Sequence, residues 1–97
     1  MKIKLADIVN DTYTNASGYT FYLYLKRVMN MKETVEISFK DSPAPSSSFL
    51  NCSFGTLIKE IGIKNFLNLI RPKELTPTQA QMLRHYIKGF KTDNTKN

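Results

Sequence analysis

The sequence has 97 residues, of which 41% are hydrophobic and 23% charged, and its formal net charge is +6. This length predicts one domain with a single core, and the composition is typical of a soluble globular protein. A lone cysteine excludes an internal disulfide bond and a multi-cysteine zinc site. Without an apolar run of roughly 20 residues or a signal-peptide core, the sequence predicts a cytoplasmic protein.

The first third of the chain contains one clear strand pattern and one ambiguous segment. Polar and apolar residues alternate over residues 2–9, which predicts a strand with Ile3 and Leu5 on its buried side. Turn-forming residues at 10–15 predict a loop. The aromatic stretch 19–31 fits either a strand or a helix, and its length favours the helix. The helix would bring together an apolar face of Phe21, Tyr22, Leu25, Val28 and Met29.

The middle of the chain gives the clearest strand. In residues 34–40 the apolar side chains of Val35, Ile37 and Phe39 alternate with polar ones, which indicates a sheet with one covered face. A loop with two prolines follows, and Ser46–Ser48 then mark a helix start. From Phe49 onward, the apolar positions at helical spacing are Leu50, Phe54, Leu57, Ile58 and Ile61, and Gly62 is placed to end the helix.

A third strand and a last helix are predicted for the remainder. The strand is expected over residues 65–70, ended by Arg71 and Pro72. Thr76 is the expected N-cap of the helix, with Pro77 at its first position and Gln79 completing a capping box. The apolar stripe of this helix consists of Ala80, Leu83, Tyr86, Ile87 and Phe90. Residues 91–97 are polar and are expected to form a frayed tail.

The predicted order is β-α-β-α-β-α, in a single α/β domain over residues 1–90. Each strand–helix–strand unit should cross over right-handed and place neighbouring strands parallel. Helices packed mainly on one face of a small sheet would satisfy both the strand alternation and the helix stripes. The sheet edges could pair with another chain, although the sequence does not fix the oligomeric state.

Little in the sequence points to an enzyme, a metal or a cofactor. Cys52 and His85 lack metal-ligand spacing, and although they could be counted as a nucleophile pair, each has a simpler interpretation. Cys52 would be a small packed side chain near a helix start, and His85 a boundary residue. The four glycines are isolated, and no carboxylate pair is placed for acid–base chemistry. We therefore expect a non-enzymatic protein without a cofactor.

The serine run is the one concentrated polar feature. Unpaired N–H groups and the helix dipole favour negative charge at a helix start, so an anion or a phosphoserine would be stabilised at Ser46–Ser48. The simpler interpretation is helix capping, for which serine is a preferred residue.

The stretch ISFKDSPAPSSSFLNCSFGTLIKEIG resembles the STAS-like family, small relatives of the anti-sigma-factor antagonists of bacterial partner-switching systems. The resemblance continues through NFLNLIRPKELTPTQAQMLRHYI and covers about residues 34–88. Residues 1–33 match only in the order of elements. In better-known STAS proteins, a partner kinase that is also an anti-sigma factor phosphorylates a serine at this helix start, and phosphorylation switches off their binding.

The resemblance implies that Ser48 is the candidate phosphoacceptor, with Ser47 beside it. It further implies a regulatory protein-binding surface made of Ser46–Ser48 and Phe49, with a kinase-like or anti-sigma regulator as partner. Two departures from the family pattern are Ser46, where an acidic residue is usual, and Phe49, where a glycine is usual.

An uneven charge distribution supports an alternative function. Residues 1–58 have a charge balance of +1 and residues 59–97 a balance of +5. Such a basic region suits an acidic partner such as nucleic acid, although solubility is the simpler explanation. The candidate contacts are Arg71, Lys73, Arg84, Lys88 and Lys91. A third hypothesis is a structural or inhibitory partner that has lost switching.

Overall fold

Three short parallel strands form the sheet. Strands β1 (Lys2–Lys4), β2 (Val35–Ser38) and β3 (Ile70–Lys73) lie in the order β1-β2-β3. The structure is a computed structural model that describes residues 1–30 and 32–96, with side chains described up to residue 90. Both neighbouring pairs are parallel, as the sequence predicted. Pro72 is tolerated in β3 because β3 is an edge strand.

The described helical residues fall into six α-helices and one π-helical turn. These are α1 (Leu5–Ile8), α2 (Asn15–Val28), α3 (Ser47–Leu50), the π-helical turn (Asn51–Gly55), α4 (Thr56–Ile61), α5 (Ile63–Leu69) and α6 (Pro77–Lys96). The chain is continuously helical from α3 through the π-helical turn to α4. No described helix is long and apolar enough to cross a membrane.

The ambiguous aromatic segment is a helix, as its length indicated. Helix α2 begins earlier than expected because Thr14 caps it, its side-chain oxygen accepting a hydrogen bond from the Ser17 N–H at 3.1 Å. Phe21 and Leu25, one turn apart, are buried in the core. The face predicted from 3.6-residue periodicity is therefore the face that packs.

Two strand predictions were wrong in their bounds or type. Residues 65–70 were expected to be a strand, but α5 occupies Ile63–Leu69 and β3 begins only at Ile70. Phe66 and Leu69 are buried three residues apart, which is helical spacing, and a short apolar run does not distinguish the two structures. The first strand ends at Lys4, where α1 replaces the expected continuation to residue 9.

The helix capping signals were read correctly. Gly62 separates α4 from α5 with a φ of 88°, a left-handed conformation that glycine adopts readily. At the start of α6 the Gln79 N–H donates to the Thr76 hydroxyl oxygen at 3.1 Å, and the Thr76 N–H donates to the Gln79 side-chain oxygen at 2.9 Å. Helix α6 continues to Lys96, so the backbone of residues 91–96 is helical where a frayed tail was expected. The side chains of 91–96 and all of Asn97 lie outside the described residues.

The core lies on one side of the sheet. Val35 and Ile37 of β2 are buried beneath the helices, together with four phenylalanines that contact one another. These phenylalanines are Phe21, Phe49, Phe54 and Phe66, with ring-centre distances of 5.2 to 6.2 Å between contacting pairs. The opposite sheet face presents polar and charged side chains, so the expected α/β fold with helices mainly on one face is confirmed.

Candidate functional site

The three serines at the helix start have different roles: Ser46 caps helix α3, whereas the side chains of Ser47 and Ser48 are exposed. Ser46 is the N-cap of α3: its hydroxyl oxygen accepts a hydrogen bond from the Phe49 N–H at 3.1 Å and donates one to the Tyr13 carbonyl at 2.9 Å. Both functions of this hydroxyl are therefore used by the fold. Capping, the simpler interpretation, is correct for Ser46.

Ser47 and Ser48 are the first two residues of α3, and both are exposed. Within the described part of the chain, neither hydroxyl has a hydrogen-bond partner. The two serines implied as phosphoacceptors are thus accessible and carry no structural role that a modification would break.

Phe49 lies in the core. Its side chain is 1% exposed, and its ring stacks on that of Phe21 with centres 6.2 Å apart. In this conformation the Phe49 ring packs in the core below the exposed Ser47 and Ser48, so the ring is not accessible to a partner. The sequence could not reveal this, because an aromatic residue after a serine run suits a surface and a core equally.

The loop before α2 is hydrogen-bonded to the serine turn, which we define as Ser46–Ser48. The Ser46 N–H donates to the Thr12 carbonyl at 2.9 Å, next to the Ser46–Tyr13 contact. Asp11 fixes this loop: its carboxylate accepts hydrogen bonds from the N–H groups of Tyr13 and Thr14 and from the hydroxyls of Thr14 and Ser17, at 2.9 to 3.0 Å. These bonds hold the pKa of Asp11 below its usual value of 3.8.

Asp11 was missed as a supporting residue of the site. The segment NDTYTN was interpreted only as a loop, yet Asp11, Thr14 and Ser17 are spaced three residues apart, a spacing typical of side chains around a helix start. That spacing is a weak signal because Asp and Thr also occur in ordinary turns.

The Asp11 network predicts a pH-dependent stability. A carboxylate with a lowered folded-state pKa stabilises the fold above pH about 4, and this contribution is lost as the pH falls through the folded-state pKa. Asp11→Asn should therefore reduce the loss of stability on acidification. Urea denaturation at a series of pH values from 7 to about 2.5 measures the free energy of unfolding of wild type and variant. If the variant loses as much stability at acidic pH as wild type does, the stabilising role of the Asp11 carboxylate is contradicted.

Helix α2 runs parallel to the helical segment 47–61, so their N-termini lie side by side. Near the start of the pair, Gly18 packs against the backbone of Phe49. Near its end, Glu60 accepts a hydrogen bond from the Tyr22 hydroxyl and pairs with Lys26, whose Nζ lies 2.6 Å away. The exposed serines therefore sit beside the first turn of α2.

The π-helical turn lies directly after the serines. The Ser53 hydroxyl donates to the Phe49 carbonyl at 2.8 Å, and the Tyr86 hydroxyl donates to the Asn51 side-chain oxygen at 2.8 Å, which ties α6 to the turn. Burial, and secondarily the neighbouring Cys52, raise the pKa of Tyr86 to about 12, so the phenol keeps its proton at neutral pH.

The two residues considered for catalysis lie on different elements. Cys52 is half-buried within the π-helical turn, and His85 is exposed on α6. Among the described residues, no group of three or more His, Cys, Asp or Glu side chains is placed to hold a metal ion.

Two of the residues predicted to contact an anion share a sheet face with other basic residues that the sequence pattern did not group with them. Arg71 and Lys73 lie on the uncovered sheet face, which β1 extends with Lys2 and Lys4. Carboxylates interrupt this face. The register places Glu36 between Lys2 and Arg71, Lys4 pairs with Asp41 at 2.9 Å, and Glu74 accepts a hydrogen bond from the Ser38 hydroxyl at 2.6 Å.

The remaining predicted cations lie on α6. Arg84 and Lys88 are exposed and one helical turn apart, so they share a helix face. The Lys91 side chain lies outside the described residues. The predicted cationic set is thus spread over two elements, β3 and α6.

Comparison with known families adds one finding. The model of a family described as a STAS-like domain of unknown function (DUF4325) matches residues 17–80. The match includes most of α2, all of β2 and β3, and the serine turn between them. Neither the curated proteins nor the solved structures contain a significant match to the chain.

Proposed function

This chain belongs to the family of STAS-like domains of unknown function, and we propose that it acts as a non-enzymatic protein-interaction module. Its partner surface is centred on Ser47 and Ser48, which Ser46 and Phe49 hold in position. The partner is a kinase-like or anti-sigma regulator in the bacterial cytoplasm. The observation that carries the proposal is the accessibility of two unbonded serine hydroxyls on a well-fixed turn.

Phosphorylation of Ser48 is the proposed switch. A phosphate would add about 1.5 to 2 negative charges to an exposed surface that has no charged residue within the serine turn. The partner would have to desolvate this charge on docking, which weakens binding. The fold itself would tolerate the phosphate, because a negative charge in the first turn of a helix interacts favourably with the helix dipole.

Ser48→Asp should abolish capture of the partner. Wild-type protein and the variant are used as baits in extracts of the native host, and the bound proteins are identified by mass spectrometry. We expect a kinase-like or sigma-regulatory protein with wild type and its loss with the variant. Asn68→Asp adds the same charge at an exposed position of α5 and is the matched control. Equal recovery of that partner by the Ser48 variant would reject the switch.

The cations on the uncovered sheet face support a second candidate function, nucleic-acid binding. Lys2 and Lys4 of β1 and Arg71 and Lys73 of β3 project from the two edge strands, on either side of β2. The interleaved Glu36 and the Lys4–Asp41 pair reduce the attraction for a polyanion, so we rank this function below protein binding.

Nucleic-acid binding predicts a steep dependence on salt. The logarithm of the affinity should fall with the logarithm of the salt concentration, with a slope near −1 per phosphate contacted. Titration of a fluorescent oligonucleotide between about 50 and 200 mM salt measures this slope, and Arg71→Ala should reduce it by about 1. A salt-independent signal would discard this second function.

A further inference from the structure

An open groove of about 360 Å³ lies between α5 and α6, lined by Leu67 of α5 and by Arg84, Ile87 and Lys88 of α6. Leu67 and Ile87 are half-buried and pack on the core, so their outer surfaces form an apolar floor. Arg84 and Lys88 are exposed and flank this floor. We call the space bounded by these four residues the α5–α6 groove.

The groove is preformed, because α6 is attached to the core through other side chains. Leu83 is 3% exposed within the core, and the Tyr86 hydroxyl donates to the Asn51 side-chain oxygen at 2.8 Å. These contacts hold α6 without using Arg84 or the outer surface of Ile87. A site that needs no rearrangement costs little ordering entropy when a partner docks.

The walls of the groove are basic. Lys64 is exposed and lies one helical turn before Leu67, so it adds a cation to the α5 wall opposite Arg84 on α6. Neither Lys64 nor Arg84 forms an ion pair with a described carboxylate. The carboxylates between residues 59 and 90 are Glu60 and Glu74, and both bond side chains of other elements, α2 and β2. The groove therefore combines an apolar floor with positive walls.

We infer that the α5–α6 groove binds an acidic amphipathic helix of another protein. A helix that docks in a groove inserts apolar side chains spaced three or four residues apart, and the floor of Leu67 and Ile87 receives them. Carboxylates beside these apolar residues pair with Lys64 on one wall and with Arg84 on the other. The Arg84 guanidinium can hold a carboxylate through two parallel hydrogen bonds.

The chemistry of the groove favours this occupant over a nucleic acid or a second copy of the chain. Phosphates would meet the cations but leave the apolar floor unfilled, and the groove lining offers no aromatic ring on which a base could stack. A second copy carries the same net charge of +6 and would bring basic surfaces together. An acidic helix satisfies both the floor and the walls.

The groove does not include the serine turn, so this inference goes beyond the proposed partner switch and does not depend on it. The peptides that test it should bind Ser48→Asp as they bind wild type. Failure of the switch and failure of the groove inference are therefore distinguishable.

Selection of a phage-displayed library of randomised helical peptides on the purified chain tests the inference. We expect enriched peptides with Glu or Asp beside apolar residues at helical spacing. Fluorescence anisotropy of these labelled peptides then compares variants. Arg84→Glu should weaken binding at least about tenfold, because it places a like charge against the ligand carboxylates. Leu67→Gln should weaken binding without changing the charge, and circular dichroism verifies that both variants fold.

Arg27→Glu is the matched control, since it makes the same charge reversal at an exposed position of α2 and should bind as wild type does. Selection that enriches no acidic amphipathic peptide would overturn the inference. Acidic peptides that bind Arg84→Glu as tightly as wild type would overturn it as well. A fluorescent oligonucleotide that binds through Arg84, with no acidic peptide enriched, would assign the groove to nucleic acid and reject an acidic helix.

Discussion

Gly18→Ala is expected to lower the free energy of unfolding by about 2 kcal/mol, although alanine is the better helix former by about 1 kcal/mol. A Cβ atom at residue 18 would lie 2.5 Å from the Phe49 carbonyl oxygen and 3.0 Å from the Cys52 Cβ. The nearer of these is a backbone atom, which cannot move unless α2 and α3 separate. The overpacking should therefore exceed the gain in helix propensity.

The matched control is Gly89→Ala. Gly89 lies within α6 and a Cβ atom there would meet nothing within 4 Å. This variant should gain roughly 0.5 to 1 kcal/mol, so the same substitution has opposite signs at two helical positions. Urea denaturation of both variants measures the difference. Stabilisation by Gly18→Ala would show that α2 and α3 are not packed as described.

Phe54→Ala is expected to cost about 3 to 5 kcal/mol of stability. Phe54 is 1% exposed, and its ring lies 6.1 Å from that of Phe21 and 5.2 Å from that of Phe66. It therefore links α2, the π-helical turn and α5. A domain of this size typically has only 5 to 15 kcal/mol of stability, so a substantial unfolded fraction is expected near 37 °C.

Tyr13→Ala is the control for Phe54→Ala. It also removes an aromatic ring, but Tyr13 is 66% exposed, so the free energy of unfolding should change by no more than about 0.5 kcal/mol. Thermal unfolding followed by circular dichroism compares the two. Equal melting temperatures for Phe54→Ala and wild type would contradict the position of Phe54 at the centre of the core.

The parts of the fold that the sequence predicted well are those with a local physical signal. The capping box of Thr76 and Gln79 is a contact between residues three apart, and the alternation in β2 is a property of one segment. Helix α2 was predicted because the aromatic segment is longer than a typical strand. Each of these signals is contained in the segment itself.

The parts that were predicted wrongly depend on tertiary context. The run NFLNLI has a composition suited to a strand, but Gly62 turns the chain so that α5 can bury Phe66 and Leu69. The end of β1 at Lys4 is set by pairing with β2, which extends only to Ser38 in this register. The turn at Gly62 was predicted, but the burial of Phe66 and Leu69 and the pairing of β1 with β2 are not visible in the local sequence.

The sequence predicted where the candidate site lies but not the role of each serine within it. The serine run marked the helix start, but only the structure separates the capping Ser46 from the exposed Ser47 and Ser48. The burial of Phe49 depends on the packing of α2 against α3, whereas the hydrogen bonds of Asp11 are local, to Tyr13, Thr14 and Ser17. Such packing between distant segments cannot be read from spacing.

The most direct test of the proposed function is the affinity of the captured and purified partner for a set of Ser48 variants, measured by titration calorimetry. Ser48→Ala and Asn68→Asp should bind within about twofold of wild type, and Ser48→Asp should bind at least about tenfold more weakly, a difference of about 1.4 kcal/mol. This pattern would show that charge at Ser48 controls docking. Equal affinity of Ser48→Asp and wild type would contradict the account.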